Sequence, residues 1–255
     1  MLLYLIRHAQ SANNDLYARG GTAHGRTADP PLTEIGHRQA QLLAHCLAGA
    51  PPAADPMPEL IGKYAARHDR LGYGLTHLYC SLMTRAIQTA GYIAAATGLP
   101  LTAWPEIHER GGLHEWDETS GADIGVAGPG RSFFVKEYPH LILPEAIDEA
   151  GWWNRPPETV TESIPRARLV WEQLLARHGG TEDRVGLVLH GGFFQALLTV
   201  FLSPDDTLTQ PDWGMNALWF GMSNTSISRM EFDNGNAVIR YLNKVDHLPS
   251  ELITG

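Results

Sequence analysis

Cysteine is scarce in this chain: there are two in 255 residues, Cys46 and Cys80, both within apolar runs. Their separation fits no metal-binding or redox spacing, so the expectation is two buried, reduced thiols and no disulfide framework. Basic residues are in deficit as well. Lysine and arginine number 19 against 28 aspartates and glutamates, a formal charge of -9. That balance argues against a general nucleic-acid binder, which presents a basic face. It does not argue against a small positive pocket, because net charge does not describe one site. Long apolar runs are also missing. The longest late one, Val185 to Leu202, is interrupted by His190, Gly191, Gly192 and Gln195, so no membrane span or membrane partner is expected. The first run, Leu2 to Ile6, lacks a basic start and already ends in Arg7, which is unlike a signal peptide. With no export signal, a cytoplasmic location is the expectation. Internal repeats and low-complexity tracts are absent.

What the chain does contain is an alternation of strand and helix patterns. Leu2 to Ile6 is a continuous apolar run of strand length, the pattern of a strand covered on both faces. In "PPLTEIGHRQAQLLAHCL", Thr33 is a natural N-cap, and Ile35, Leu42, Leu43 and Leu47 recur at helical spacing. "GAPPAADPMPE" reads as a surface excursion. "LTHLYCS" is a short apolar strand and "MTRAIQTAGYIAAATG" a helix, with Thr84 as cap and Gly98 as stop. "LPLTAWPEI" supplies an extended piece. "TVTESIPRARLVWEQLLARHG" is a helix that tolerates Pro165 only near its first turn. "RVGLVLH" is a strand that runs straight into the helix "GGFFQALLTVFL". "NTSISRMEFDNGNAVIRYLN" is a hairpin turning at Asp233–Asn236. Alternation of this kind predicts an α/β layered fold over 1–255. Between about 111 and 157 the periodicity fades, yet Trp116, Phe133, Phe134, Trp152 and Trp153 make this too aromatic for a disordered linker. It reads as an ordered insertion of the kind that covers sites, its aromatic residues mostly core.

The polar residues have a pattern of their own. One buried-type strand ends in Arg7-His8, and another ends in His190 and leads into Gly191. A third leads to Arg85 on the first turn of the next helix. In open α/β sheets ligands sit beyond the carboxyl ends of the strands. Three segments therefore deliver Arg7, His8, Arg85 and His190 to one sheet edge. Helix N-termini at Gly191 and near Thr84 would add anion-attracting amides. Such a pocket suits a dianion, and phosphate is the obvious candidate.

These residues resemble a known family, the histidine phosphatase superfamily, also called the phosphoglycerate mutase-like proteins. "RHAQSANN" is similar to its R-H-G-x-S-x-x-N signature, with Ala9 where glycine is usual. "DPPLTEIGHRQA" resembles its P-L-T-x-x-G-x-x-Q-A segment, and "CSLMTRAIQTA" its S-x-x-x-R-A-x-Q-T-A segment. "LHGG" resembles its second-histidine motif, and "TESIPRARLVW" the helix before it. The matches run in the family's order across nearly the whole chain. The resemblance implies a three-layer α/β/α sandwich around a mixed, mostly parallel sheet. It further implies a nucleophilic His8 that forms a phosphohistidine, with Arg7, Arg85 and His190 holding the phosphoryl oxygens. Asn14 would contact the phosphate, with Gln10, Ser11 and Gly191 as further contacts. The family places a general acid after the strand that follows the Arg85 helix. Of Glu106, Glu109 and Glu115, Glu109 is chosen, because "HERGG" resembles the Glu-x-Gly-Gly form of some members, and Glu106 is the runner-up.

The expected activity is phosphomonoester hydrolysis of the histidine acid phosphatase type on a small phosphorylated substrate, with no cofactor and no metal. His108, His114, Glu109, Glu115 and Asp117 fit no standard metal spacing. A phosphoglycerate mutase is the second reading. It would carry a basic segment in the insertion, where 111–157 holds only Arg131, Lys136 and Arg155. A silent phosphate-binding scaffold is the third, and the presence of His8, both arginines and His190 counts against it. Glu162 and Arg166, one helical turn apart, would pair on the surface or reach the pocket. Arg26 is expected to be solvated. The remaining histidines, His77 and His178 among them, receive no role. An exposed aromatic face would permit a homodimer.

Overall fold

The computed structural model describes residues 1–20, 25–49, 59–202, 219–233 and 236–255. Its centre is a seven-stranded sheet: β1 (Leu2–Arg7), β2 (His77–Cys80), β3 (Leu101–Ala103), β6 (Leu141–Ile142), β7 (Arg184–Leu189), β8 (Ile227–Asp233) and β9 (Asn236–Lys244). The spatial order is β6-β3-β2-β7-β1-β8-β9. The first five in that order are mutually parallel, and β8 runs antiparallel to β1 and β9 to β8. β4 (His114–Asp117) and β5 (Ala122–Gly125) form a separate hairpin. The architecture is the expected mixed α/β sandwich.

The alternation of side chains along a strand divides the core in two. Tyr4 and Ile6 of β1 face one layer, with Leu43 and Leu47 of α2 (Glu34–Ala48) and Ala86, Ala90 and Ile93 of α4 (Thr84–Thr97). Leu3 and Leu5 face the other, with Val170 and Leu174 of α6 (Val160–His178) and Phe193, Phe194 and Leu197 of α7 (Gly191–Leu202). Both faces of β1 and β7 are covered, which is why these strands read as unbroken apolar runs.

The helix boundaries follow local chemistry in most places. Thr33 caps α2, its Oγ1 accepting the Gly36 N–H at 3.0 Å. Gly36 has a second constraint: a Cβ there would lie 2.1 Å from the Gln10 carbonyl oxygen. The helix therefore seats directly on the backbone that follows β1. Gly98 stops α4 at φ 72°, a left-handed conformation that suits glycine. Thr159 and Glu162 form a capping box at the start of α6. Pro165 lies deeper inside α6 than the first turn expected for it.

Thr84 is not the cap of α4. The helix begins at Thr84, and the carboxylate of Asp29 does the capping: Thr84 N–H donates to Asp29 Oδ1 at 2.9 Å and Thr84 Oγ1 to Oδ2 at 2.7 Å. The insertion is ordered, as its aromatic content implies. It holds the β4–β5 hairpin, a short α5 (Arg131–Glu137) and β6, which extends the main sheet. Phe134 and Trp153 are core residues and Trp152 packs against the core, whereas Trp116 and Phe133 are exposed. Both cysteines are free, Cys80 buried and Cys46 half-buried. Most of "GAPPAADPMPE" and the tip of the last hairpin lie outside the described residues. No helix among the described residues is long and apolar enough to cross a membrane.

Candidate active site

Parallel pairing puts Arg7 of β1 opposite Leu189 of β7, so the residues that follow, His8 and His190, emerge side by side at the carboxyl edge. The His8 N–H donates to the Leu189 carbonyl at 3.0 Å, and the two imidazole rings lie 5.0 Å apart between centroids. β2 sits on the far side of β7 and delivers Ser81 and then Arg85 on the first turn of α4. Thr89, one turn further along α4, fastens this helix to β1's exit: its Oγ1 accepts the Ala9 N–H at 3.0 Å and donates to the Arg85 carbonyl at 2.7 Å. Arg7, His8, Arg85 and His190 are brought together by these contacts.

Their hydrogen bonds define protonation states. His8 Nδ1 lies 2.7 Å from the Ala9 carbonyl. A carbonyl only accepts, so Nδ1 carries the proton and Nε2 keeps its lone pair. The Arg85 Nε–H points at that nitrogen, at 3.2 Å. Ser81 Oγ takes the Met83 N–H at 3.3 Å and lies 2.6 Å from His190 Nε2. With the hydroxyl proton given to Nε2, the His190 proton sits on Nδ1. That buried Nδ1 has no partner among the described residues, and neither has the buried Nε of Arg7. An unpartnered buried donor costs about 1–3 kcal/mol. Two of them beside one imidazole lone pair mark a place for an oxyanion.

The electrostatics agree. Burial, then the charges of Arg85 and Arg7, push His8 well below its ordinary value of 6.5, and burial first also lowers His190. Burial lowers His108 to about 2 and His247 to about 4. All four groups are neutral in the fold, while in the unfolded chain they take up protons near 6.5. Their contribution to stability is therefore complete above that pH and declines as pH falls below it. Each proton bound only by the unfolded chain steepens the decline by about 1.4 kcal/mol per pH unit. Urea midpoints measured from pH 7.5 to 5 should fall steadily below 6.5; a flat profile would contradict the neutral assignments.

Glu109 faces this group from the segment after β3. Its Oε2 accepts Gly192 N–H at 3.1 Å and its Oε1 accepts Phe193 N–H at 2.9 Å. It thus caps α7 directly beyond His190, and its charge opposes the loss of charge on Arg7 and Arg85. The helix-terminal amides expected to attract an anion are therefore engaged, by Glu109 at α7 and by Asp29 at α4. Cationic side chains carry that attraction instead. Glu106 presents its carbonyl to Arg166, and Glu115 lies on β4.

Arg166 does not pair with Glu162, and of the two expectations it is the role near the pocket that its contacts bear out. Glu162 belongs to the capping box. Arg166 instead forms a two-pronged pair with Glu158, at 2.7 and 2.5 Å. It also donates to the Glu106 and His108 carbonyls and lies 4.2 Å over the Phe193 ring. It thus holds the segment that carries Glu109.

Asn14 Oδ1 accepts from Ser11 and from Asn224, and Asn224 also donates to the His8 carbonyl at 3.0 Å. Ser11 is the N-cap of α1 (Ala12–Ala18), which together with Asn14 occupies its polar groups in a capping box. Gln10 is buried and its Oε1 accepts from Thr33 at 2.6 Å. Gly191 lies against Arg7, where a Cβ would come 3.7 Å from Nε. Arg26 is not simply solvated. It is half-buried, its Nε has no partner among the described residues, and its charge adds to burial, the larger cause, in lowering both Arg85 and His114. Asp29, 3.8 Å from Arg85, Ser81 and Asn224 were not singled out from sequence. Ser81 lies within the quoted "CSLMTRAIQTA" segment and Asp29 within "DPPLTEIGHRQA", but nothing local indicates their partners.

The model of the histidine phosphatase superfamily (branch 1) matches residues 3–57 and 63–245. The chain belongs to this superfamily. No curated protein sequence matches it. Among solved structures it is similar to a mycobacterial glucosyl-3-phosphoglycerate phosphatase, 19% identical, covering 96% of this chain and 99% of that one, TM-score 0.55. It is also similar to YhfR of Bacillus stearothermophilus, 20% identical, covering 96% and 98%, TM-score 0.55. A phosphoserine phosphatase of Entamoeba histolytica is 18% identical, with 97% and 99% covered and a TM-score of 0.53. At these identities the likeness is one of fold.

Proposed function

We propose that the protein is a metal-independent phosphomonoester hydrolase that works through a phosphohistidine on His8. The observation that carries this reading is the pair of buried nitrogens that have no partner among the described residues, Arg7 Nε and His190 Nδ1, beside the lone pair of His8 Nε2. Phosphoryl transfer needs in-line positioning and fixed positive charge. Here Arg7, Arg85 and His190 would hold the three phosphoryl oxygens, with Asn14 as a further contact.

In the first step, His8 Nε2 forms a bond to phosphorus and the ester P–O bond breaks. The leaving oxygen takes a proton from Glu109. In the second, Glu109 removes a proton from water, the water oxygen bonds to phosphorus, and the P–N bond breaks. Phosphate leaves and His8 is neutral again. The Gly192 and Phe193 amides hold the Glu109 carboxyl in place for the second step. For the first, the carboxyl must exchange one α7 amide for the leaving oxygen. Glu109→Gln keeps an acceptor for the helix but carries no proton to move. It should lower kcat about 10²- to 10⁴-fold, with little change in thermal stability. An unchanged kcat would remove Glu109 from this role and point to Glu106.

A mutase is less well supported. Arg131 spends its guanidinium on the carbonyls of Ile147 and Pro144, and Lys136 pairs with Glu137 at 3.0 Å. Neither is disposed to bind a substrate carboxylate. A small phosphorylated substrate is in keeping with the phosphatase activities named for the mycobacterial glucosyl-3-phosphoglycerate phosphatase and the Entamoeba phosphoserine phosphatase. The test is hydrolysis of an aryl phosphate in EDTA, with rapid alkaline quenching to trap labelled enzyme. Turnover with acid-labile, base-stable label supports the proposal. Turnover that EDTA abolishes, or that leaves no such label, refutes it.

A further inference from the structure

At the opposite, amino-terminal edge of the main sheet, three side chains converge that the catalytic proposal does not use. His77 opens β2, His178 closes α6, and Asp183 immediately precedes β7. One donor atom from each lies within 4.8 Å of the other two. His178 Nδ1 is 2.9 Å from Asp183 Oδ2, and His77 Nδ1 is 3.9 Å from Asp183 Oδ1.

We propose that His77, His178 and Asp183 form a binding site for a divalent transition-metal ion, with Zn²⁺ the best-suited ion. Two imidazoles and one carboxylate are a donor set that Zn²⁺ takes readily, with a water completing the tetrahedron. The surroundings of His178 favour this use. Without an ion its Nδ1–H donates to Asp183; an ion at Nδ1 would displace that proton, and Nε2, 3.0 Å from the Tyr79 hydroxyl, would then donate its proton there. A hydrogen bond from the second ring nitrogen is the usual support of a metal-bound histidine. Tyr79 is itself held edge-on against Trp104, at 5.3 Å.

The backbone that carries the donors is tied down. Thr181 Oγ1 donates to the His178 carbonyl at 2.8 Å and accepts the Asp183 N–H at 3.1 Å. Arg184 N–H donates to Thr76 Oγ1 at 2.9 Å. Two ligands are thus pre-placed. The third, His77, has 41% of its side chain exposed and can close the remaining gap by turning its ring. A plain His–Asp ion pair would need only one of the histidines and would bind no metal saturably.

β7 separates the two edges of the sheet. Its six residues span about 20 Å, so an ion at this edge touches neither His8 nor Glu109. The metal site and metal-independent turnover therefore stand or fall separately.

The experiment is titration of EDTA-stripped, dialysed protein with Zn²⁺, followed by calorimetry and by thermal melting. The expected result is one ion per chain and a rise in Tm with free Zn²⁺. Loss of a ligand in His77→Ala should weaken binding at least about 100-fold, and Tyr79→Phe about 10-fold. His77 is exposed enough that its alanine variant should fold, and a melt without Zn²⁺ checks this. His8→Ala should bind Zn²⁺ as the wild type does. Absence of saturable binding to folded wild type would overturn the site, as would equal binding by His77→Ala. Loss of binding in His8→Ala would instead place the ion in the phosphate pocket, and would overturn it too.

Discussion

His8→Ala is expected to lower kcat/KM for an aryl phosphate about 10⁴- to 10⁶-fold and to abolish the trapped phosphohistidine. The magnitude follows from losing a covalent nucleophile, whose removal costs about as much as removing the whole catalytic group. The physical basis is the tautomer. The Ala9 carbonyl holds the proton on Nδ1, and burial with two guanidinium neighbours keeps Nε2 free of a second one. Protonation of His8 should therefore not limit the rate anywhere between pH 6.5 and 8, where a solvent-exposed histidine would begin to titrate. His8 is 3% exposed, so the variant must be checked by melting before its kinetics are read. A folded variant that keeps more than about 1% of wild-type turnover would show that His8 is not the nucleophile.

The largest effect on stability should come from Asp69, far from that chemistry in the chain. Its Oδ1 accepts from Arg229 Nη1 at 2.6 Å and from the Tyr4 hydroxyl at 2.7 Å, and its Oδ2 from the Tyr241 hydroxyl at 2.6 Å. One carboxylate thereby ties the loop after α3 (Glu59–Arg67) to β1, β8 and β9. The Arg229 side chain is 4% exposed. Asp69→Ala would leave a buried guanidinium with only Glu231 for charge compensation, and would take from the Tyr4 and Tyr241 hydroxyls the acceptor they share. The expected cost is about 3–5 kcal/mol, seen as a lower urea midpoint with kcat nearly unchanged. Asp69→Asn should cost less, because asparagine keeps an acceptor and tolerates the φ of 54° found there. A loss below about 1 kcal/mol in Asp69→Ala would mean that the pair only offsets its own desolvation.

The two predictions differ in how readily a sequence could have suggested them. His8 stands at the end of an apolar run, and that placement is legible from the pattern alone. So were the helix limits at Thr33, Gly98 and Thr159, because a cap acts within three or four residues of chain. The strand order that puts β7 between β1 and β2 was not written locally, but alternation of strands and helices narrowed it to an α/β sheet with its polar ends on one edge. The resemblance to the histidine phosphatase superfamily then supplied the expected layers.

Asp69 belongs to the other class. Nothing in its immediate neighbours announces a buried carboxylate, since its three partners come from β1, β8 and β9. The same holds for Arg166. Its helical spacing from Glu162 suggested a surface pair, but the capping box claimed Glu162 and the fold brought Glu158 to Arg166 instead. Thr84 was expected to cap α4, yet it is the first helical residue, and the acceptor comes from Asp29 in another segment. His77 and His178 looked like two unrelated histidines until β2 was laid beside β7. The sequence by itself determined which faces are apolar, where elements begin and end, and which strand ends are cationic, because these depend on periodicity and near neighbours. Only the tertiary structure decided which carboxylate meets which cation and which donors remain unpaired. Those choices depend on geometry between segments distant in the chain, and on the cost of leaving a buried polar group without a partner.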